Sequence, residues 1–388
     1  MSQGTRQQAT ATGNRRPLSM IGMGKAGFNF RLALLALYVV PICGGSVPGQ
    51  TLGTASGPWV MERSGTTAGL RGIHAVGGGV AWASGTNGTV LRTEDGGYQW
   101  QSCAMPPGAE KLDFRGIWAW DANTAIVMSS GPGDQSRLYK TTDGCSSWKL
   151  LFTNPDKDGF WDAVAFRDRI VGWLLGDPVR GQFQLWHTST GGDKWSPEAD
   201  SRVLKAKSSS EGAFAASNSS LLVDRSGWGA AFGSGGIGGA FFFRIEGESI
   251  CVDCDVAPKD LWAKTITPVA SGSSSAGIFS IADWGQIVAV GGDYTKPNES
   301  AGTAAWSADG GKTWTAAVKS PHGYRSAVAW DAQATAWITV GTNGSDISYD
   351  DGKTWEPLDD GNWNALSLPW VVGPQGRIAK LGKLPPRK

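Results

Sequence analysis

The stretch Thr93-Glu94-Asp95-Gly96-Gly97-Tyr98-Gln99-Trp100 returns along the chain. The copies are Thr141-Thr142-Asp143-Gly144-Cys145-Ser146-Ser147-Trp148, Ser307-Ala308-Asp309-Gly310-Gly311-Lys312-Thr313-Trp314 and Ser348-Tyr349-Asp350-Asp351-Gly352-Lys353-Thr354-Trp355. A decayed copy, Thr188-Ser189-Thr190-Gly191-Gly192-Asp193-Lys194-Trp195, has Thr190 in the Asp place. The physics of the octapeptide is local. A carboxylate accepts nearby backbone N–H groups in a tight turn. Glycine adopts backbone angles that residues with a Cβ resist. The Trp then buries a large ring. Each copy is therefore expected to be a β-hairpin tip followed by an inward aromatic, and its Asp to be structural rather than catalytic.

The Asp place falls at 95, 143, 190, 309 and 350, so neighbouring copies lie 41 to 48 residues apart except across one gap of 119. That gap spans two units, one of which has lost its octapeptide. A second pattern agrees. Short apolar strands begin Arg71-Gly72-Ile73-His74-Ala75, Arg115-Gly116-Ile117-Trp118-Ala119, Trp161-Asp162-Ala163-Val164-Ala165 and Arg325-Ser326-Ala327-Val328-Ala329. Weaker copies begin at Gly212, Gly277 and Trp363, which makes seven. Units of 40–50 residues with three or four strands read as propeller blades. The last unit has room for three strands, and Trp59–Arg63 supplies a lone strand ahead of the first. The expected fold is all-β: a seven-bladed propeller over residues 57–388, of four-stranded antiparallel blades, closed by that N-terminal strand in the last blade.

Composition agrees. Gly numbers 56 of 388 residues, and Trp, at 20, outnumbers Phe (13) and Tyr (6) together. Gly at that level disfavours helix, the absence of a three-residue period excludes collagen, and abundant aromatics argue against disorder.

The net charge of +1 conceals an asymmetry. Arg6, Arg15, Arg16, Lys25 and Arg31 precede Glu62, the first acidic residue. The remaining body is weakly acidic, which argues against nucleic-acid binding. The basic segment leads into the apolar run Leu32–Val40 and then Pro41, Cys43, Gly44 and Gly45. Residues 1–49 thus read as a basic leader with a secretory signal, or alternatively as an N-terminal membrane anchor. Met20 and Met23 offer alternative starts. A periplasmic or extracellular protein is expected, and a monomer. Beyond the leader remain Cys103, Cys145, Cys251 and Cys254. An even count suggests disulfides, with three pairings open; the reading favours Cys103 with Cys145 and Cys251 with Cys254. No helix start or second ligand pair accompanies Cys251-Val252-Asp253-Cys254, so neither a redox nor a metal role is expected for it.

The octapeptides resemble Asp boxes, the bacterial neuraminidase repeats of the sialidase-like superfamily. With the Arg-Gly-Ile-x-Ala strand upstream, their order over residues 57–388 resembles the photosystem II stability/assembly factor-like propellers. That resemblance implies an exported, seven-bladed, non-enzymatic protein that binds a protein partner. The box also occurs in sialidases and other glycanases, so function has to be argued from the site.

In a propeller the starts of the innermost strands ring one mouth of the channel. Arg71, Arg115, Trp161, Arg325 and Trp363 occupy those places, and the second-to-third strand loops add Asn87, Asp177, Arg180, Asp293, Tyr294, Lys296, Glu299 and Asn343. The ring reads as a binding site: Arg forks match carboxylates, and Trp faces stack on flat groups. A protein or acidic peptide partner, or a glycan, would suit it. The alternative for each Arg is a packed stem with a solvated head. A glycoside hydrolase is the second functional reading, with Asp177, Asp293 and Tyr294 as candidate catalytic residues. His is scarce, so a His-based metal site or triad is not expected. No phosphate or dinucleotide fingerprint is present, and no cofactor is implied.

Overall fold

The computed structural model describes residues 57–198, 202–223, 229–245, 262–385 and 387; the basic leader, Cys251 and Cys254 lie outside them. Short runs of alternating apolar residues, cut by glycine turns, form strands throughout. Leu70–Gly77, for example, pairs with Val80–Gly85 across the turn glycines Gly78 and Gly79. Among the described residues the strands assemble into seven four-stranded antiparallel sheets. Blades 1 to 6 begin at the inner strands Leu70–Gly77, Phe114–Ala119, Trp161–Phe166, Leu221–Val223, Ala276–Asp283 and Ala327–Asp331. Blade 7 contains Ala365–Ser367, Trp370–Val372 and Ile378–Leu381, and its outer strand is Trp59–Glu62, paired with Ile378–Leu381. The seven-bladed propeller and its N-terminal closing strand are thus as the repeats predict.

The octapeptides form hairpin tips with one shared hydrogen-bond pattern. In the copy at 307, the Ser307 hydroxyl donates to Asp309 (2.8 Å) and accepts the Gly311 N–H (2.8 Å). Asp309 accepts the Thr313 N–H (2.9 Å) and hydroxyl (2.7 Å). The copies at 141 and 348 repeat these four bonds. In the decayed copy the Thr190 hydroxyl accepts the Lys194 N–H at 2.9 Å, taking over one of the carboxylate's bonds. Those bonds hold the Asp143 and Asp309 carboxyls at about 2 and lower Asp95 and Asp350.

The octapeptide tryptophans pack between blades. Trp100 meets Trp370 edge-on (6.1 Å), Trp148 meets Trp82 (6.4 Å), and Trp314 meets Phe242 (5.1 Å). Blade 4 lacks the octapeptide, but Trp262 on its outer strand meets Trp173 of blade 3 at 6.1 Å and does the same packing. Glu62 on the closing strand accepts the indole N–H of both Trp100 (2.8 Å) and Trp370 (3.1 Å), joining blade 1 to blade 7. Cys103 and Cys145 form a disulfide across 42 residues, tying the end of blade 1 to the hairpin of blade 2.

Blade 4 departs from the expected register. Its inner strand is Leu221–Val223, not the stretch starting at Gly212. Gly212 instead pairs with Gly235 through two backbone bonds (3.1 and 3.0 Å). Residues 213–220 then run across the central axis, and small side chains permit that passage. Ser217 donates to the Ser326 carbonyl of blade 6 (2.7 Å) and Ser219 to Ser280 of blade 5 (2.7 Å). Asn218, in the left-handed region (φ 66°), accepts the Val164 N–H (2.8 Å) and donates to the carbonyls of Val164 (2.9 Å) and Ile117 (3.2 Å). An inner strand leaves one edge unpaired, and such groups need partners. Ser217–Ser219 supply them to four blades and close the axis, so the mouth is a cup rather than an open channel.

Candidate functional site

The cup lies on the face where the inner strands start. Arg71 and Arg115 stand at equivalent places on blades 1 and 2, their side chains 36% and 29% exposed. Asp113, just ahead of the blade 2 inner strand, serves both. Its carboxylate accepts Arg115 Nε at 2.8 Å and lies 4.0 Å from Arg71 Nε. Arg115 also donates to the Ala215 carbonyl of the crossing segment (3.1 Å). Arg71 Nε and Asp113 Oδ1 are buried without hydrogen-bond partners. Two guanidinium groups thus share one carboxylate. Burial and the neighbouring Arg115 oppose the charge on Arg71, while Asp113 supports it.

An aromatic cluster lies beside the arginine pair, with Phe279 and Tyr324 buried and Phe214 partly exposed. Phe214 of the crossing segment stacks on Phe279 of blade 5 (3.9 Å, 20°), and Tyr324 meets Phe279 edge-on at 4.8 Å. Exposed Tyr294 meets the same ring at 6.1 Å. Burial pushes the Tyr324 hydroxyl well above its ordinary range, and Arg71 is close enough to bias it downward.

Beside the crossing segment lies a pair of carboxyl groups. Asp177 accepts the Ala213 N–H at 3.0 Å. Asp162, 1% exposed, leaves Oδ2 without a partner. Burial lifts Asp177 to about 6 and Asp162 well above the usual carboxylate range; Asp177 raises Asp162 further and Arg115 partly opposes it. Burial thus works against the charged form of Asp162.

Three of the expected ring residues are not at the surface. Arg325 is fully buried: its Nε donates to Asp346 Oδ2 (2.6 Å), a second nitrogen pairs with the same oxygen, and another bonds the Tyr324 carbonyl and Asn343 (both 2.6 Å). Its fork is spent on a buried carboxylate inside the protein. His322 joins that network, with Nδ1 2.8 Å from Asp346 and Nε2 2.8 Å from the Asn343 carbonyl, and Asp346 raises its pKa. Trp161 is buried and stacked on Phe152 (5.2 Å, 28°). Trp363 is buried beneath the Arg377 guanidinium (4.5 Å) and donates to Asp359 (3.2 Å). Neither indole presents a face to a ligand.

The candidate catalytic residues are held separately. Asp293 accepts Ser273 (3.0 Å) and the Thr295 hydroxyl (2.7 Å) and is depressed to about 2, which makes it a poor proton donor. Tyr294 lies on Phe279, and Asp177 is turned to the crossing backbone. The residues missed by sequence reasoning are Asp113, Phe214 and Phe279. Asp113 was legible as the acidic residue two places before Arg115; the aromatics were not, because their meeting depends on the displaced register of blade 4. Among the described residues no group of three or more His, Cys, Asp or Glu side chains is arranged to hold a metal ion.

No protein-family model and no curated protein matches the chain. Among solved structures, "YCF48 bound to D1 peptide" is similar at a TM-score of 0.56 and 15% identity, covering 84% of this chain and 97% of that one. YCF48 from Cyanidioschyzon merolae is similar at a TM-score of 0.54 and 19% identity, covering 84% and 98%. The GH74 xyloglucanase from Xanthomonas campestris reaches a TM-score of 0.36 at 16% identity and covers 74% and 49%. What the chain shares with the two YCF48 structures at these identities is the fold: a seven-bladed propeller matched along nearly the whole of their length.

Proposed function

We propose that the protein is a binding propeller whose cup takes an acidic segment of a partner protein. The observation that carries this reading is the arginine pair: Arg71 and Arg115 lean on the single carboxylate of Asp113, and Arg71 Nε, 4.0 Å from it, makes no hydrogen bond. A carboxylate from a ligand would meet an under-neutralised pair of forks, and such charge-assisted bonds are among the strong ones. Partly exposed Phe214 and exposed Tyr294, both packed on buried Phe279, give the rest of the segment an apolar surface. The solved YCF48 structure with a D1 peptide supplies a precedent for peptide binding on this fold. We further read the protein as exported, in keeping with the Cys103–Cys145 disulfide.

The test is fluorescence anisotropy with labelled acidic peptides, a D1 peptide among them. Arg71→Ala with Arg115→Ala should weaken binding at least tenfold, with a smaller loss of melting temperature than Arg325→Ala because Asp113 is partly exposed. Arg325→Ala is the contrasting variant: it strands buried Asp346 and should unfold the protein at lower temperature. Unchanged binding in the double variant defeats the reading.

A further inference from the structure

On the opposite face, at the border of blades 5 and 6, lies a group of tryptophans that the cup does not use. Trp284 occupies the hairpin turn after Ala276–Asp283 and is 62% exposed. Its ring lies nearly parallel to Trp330 (6.3 Å, 18°), and Trp330 rests edge-on against buried Trp337 (5.2 Å). Ala282, Val288 and Trp306 stand opposite one another on one face of blade 5, and Trp284, two residues beyond Ala282, continues that face into the turn. The Trp306 and Trp337 indole N–H groups are buried without partners.

The surroundings of the platform are polar. Gln286 donates to the Asp351 carbonyl at 2.8 Å, crossing from blade 5 to the octapeptide of blade 6. Lys353 lies over Trp306 (5.2 Å) and 3.8 Å from Asp351. The Asp331 carboxylate closes the next turn by accepting the Gln333 and Ala334 N–H groups. Trp284 displays most of its indole to water. Here its orientation is set from beneath by two further rings, so little freedom would be lost on binding. An apolar protein surface would have to strip water from Gln286, Asp331, Asp351 and Lys353. A pyranose ring would not: its C–H face meets the negative face of an indole, and its hydroxyls bond amides and carboxylates at the edge. The carboxylates of Asp283, in the Trp284 turn, Asp331 and Asp351 outnumber the one ammonium, which disfavours an anionic sugar.

We infer that Trp284 and Trp330 form a stacking platform for a neutral glycan chain, on the face away from the cup. The test is isothermal titration of the full chain with cellohexaose, mannohexaose, xylohexaose and a galactan oligomer, with polygalacturonate oligomers as the anionic control. At least one neutral oligomer should bind, and the anionic control should not. Trp284→Ala, at an exposed turn, should weaken that binding at least tenfold; Trp284→Phe should keep most of it. The Arg71→Ala/Arg115→Ala double variant should bind the sugar as the wild type does. Binding of none of the neutral oligomers overturns the proposal, as does binding that survives Trp284→Ala. Trp284-dependent self-association in sedimentation experiments overturns it too, since the platform then serves a second copy of the chain.

Discussion

Gly311 shows what the octapeptide asks of single residues. The fourth and fifth places of each copy both lie at positive φ: Gly310 at 72° and Gly311 at 83°, with Asp351 (64°) and Cys145 (63°) as the two non-glycine occupants. An L-residue there costs roughly 1–2 kcal/mol, and at 311 a Cβ would also overlap the Phe242 ring of blade 4. Gly311→Ala should therefore destabilise the protein by about 2–4 kcal/mol in chemical denaturation, both costs combined. A loss below about 1 kcal/mol would show that the hairpin tip relaxes. The carboxylates divide by sign. Asp309, depressed to about 2, contributes stability that is present above its unfolded value and lost as pH falls toward 2. Asp177, raised to about 6, behaves oppositely: its protonated form is favoured in the folded state, so the benefit present below about 4 disappears as pH rises through 6. The stability of wild type relative to Asp177→Asn should therefore fall between pH 4 and 7, and that relative to Asp309→Asn should fall only below pH 4, both read from denaturation midpoints. A flat Asp177 difference would place that carboxyl in contact with solvent.

At the scale of elements, the closing strand Trp59–Glu62 does more than pair with Ile378–Leu381. Trp59 donates to Ser345 of blade 6 (3.0 Å), and Glu62 accepts two indoles from blades 1 and 7. Glu62→Ala leaves two largely buried N–H groups without an acceptor and should cost about 2–6 kcal/mol at 1–3 kcal/mol per stranded donor. Glu62→Gln keeps an acceptor oxygen and should cost less. Equal losses in the two variants, measured by thermal unfolding, would mean that the carboxylate charge rather than the shared acceptor holds the ring shut. The crossing segment 213–220 is the other decisive element. It seats Phe214 on Phe279, offers the Ala215 carbonyl to Arg115, and closes the axis with Asn218. The proposed cup is therefore built by blade 4's departure from the repeat.

For the whole molecule, two faces carry different chemistry. The inner-strand starts present the arginine pair with Phe214 and Tyr294; the octapeptide face presents the exposed indole of Trp284. Blade number, the closing strand and the Trp packing between blades were legible in the sequence. They follow from interactions within a hairpin or between neighbouring repeats, so the residue pattern and its period suffice to specify them. Arg71 and Arg115 were legible as mouth residues for the same reason. Depth was not legible. Arg325 holds the repeat position of Arg71 yet is buried, because Asp346, 21 residues away, takes its fork. Trp161 and Trp363 were unreadable in the same way, each covered by a ring or guanidinium from another segment of the chain. The sequence by itself determined a seven-bladed ring, since that fold is written in short-range turns and repeated aromatics. Only the tertiary structure decided which residues of the ring meet solvent, because burial depends on partners that distant segments bring together.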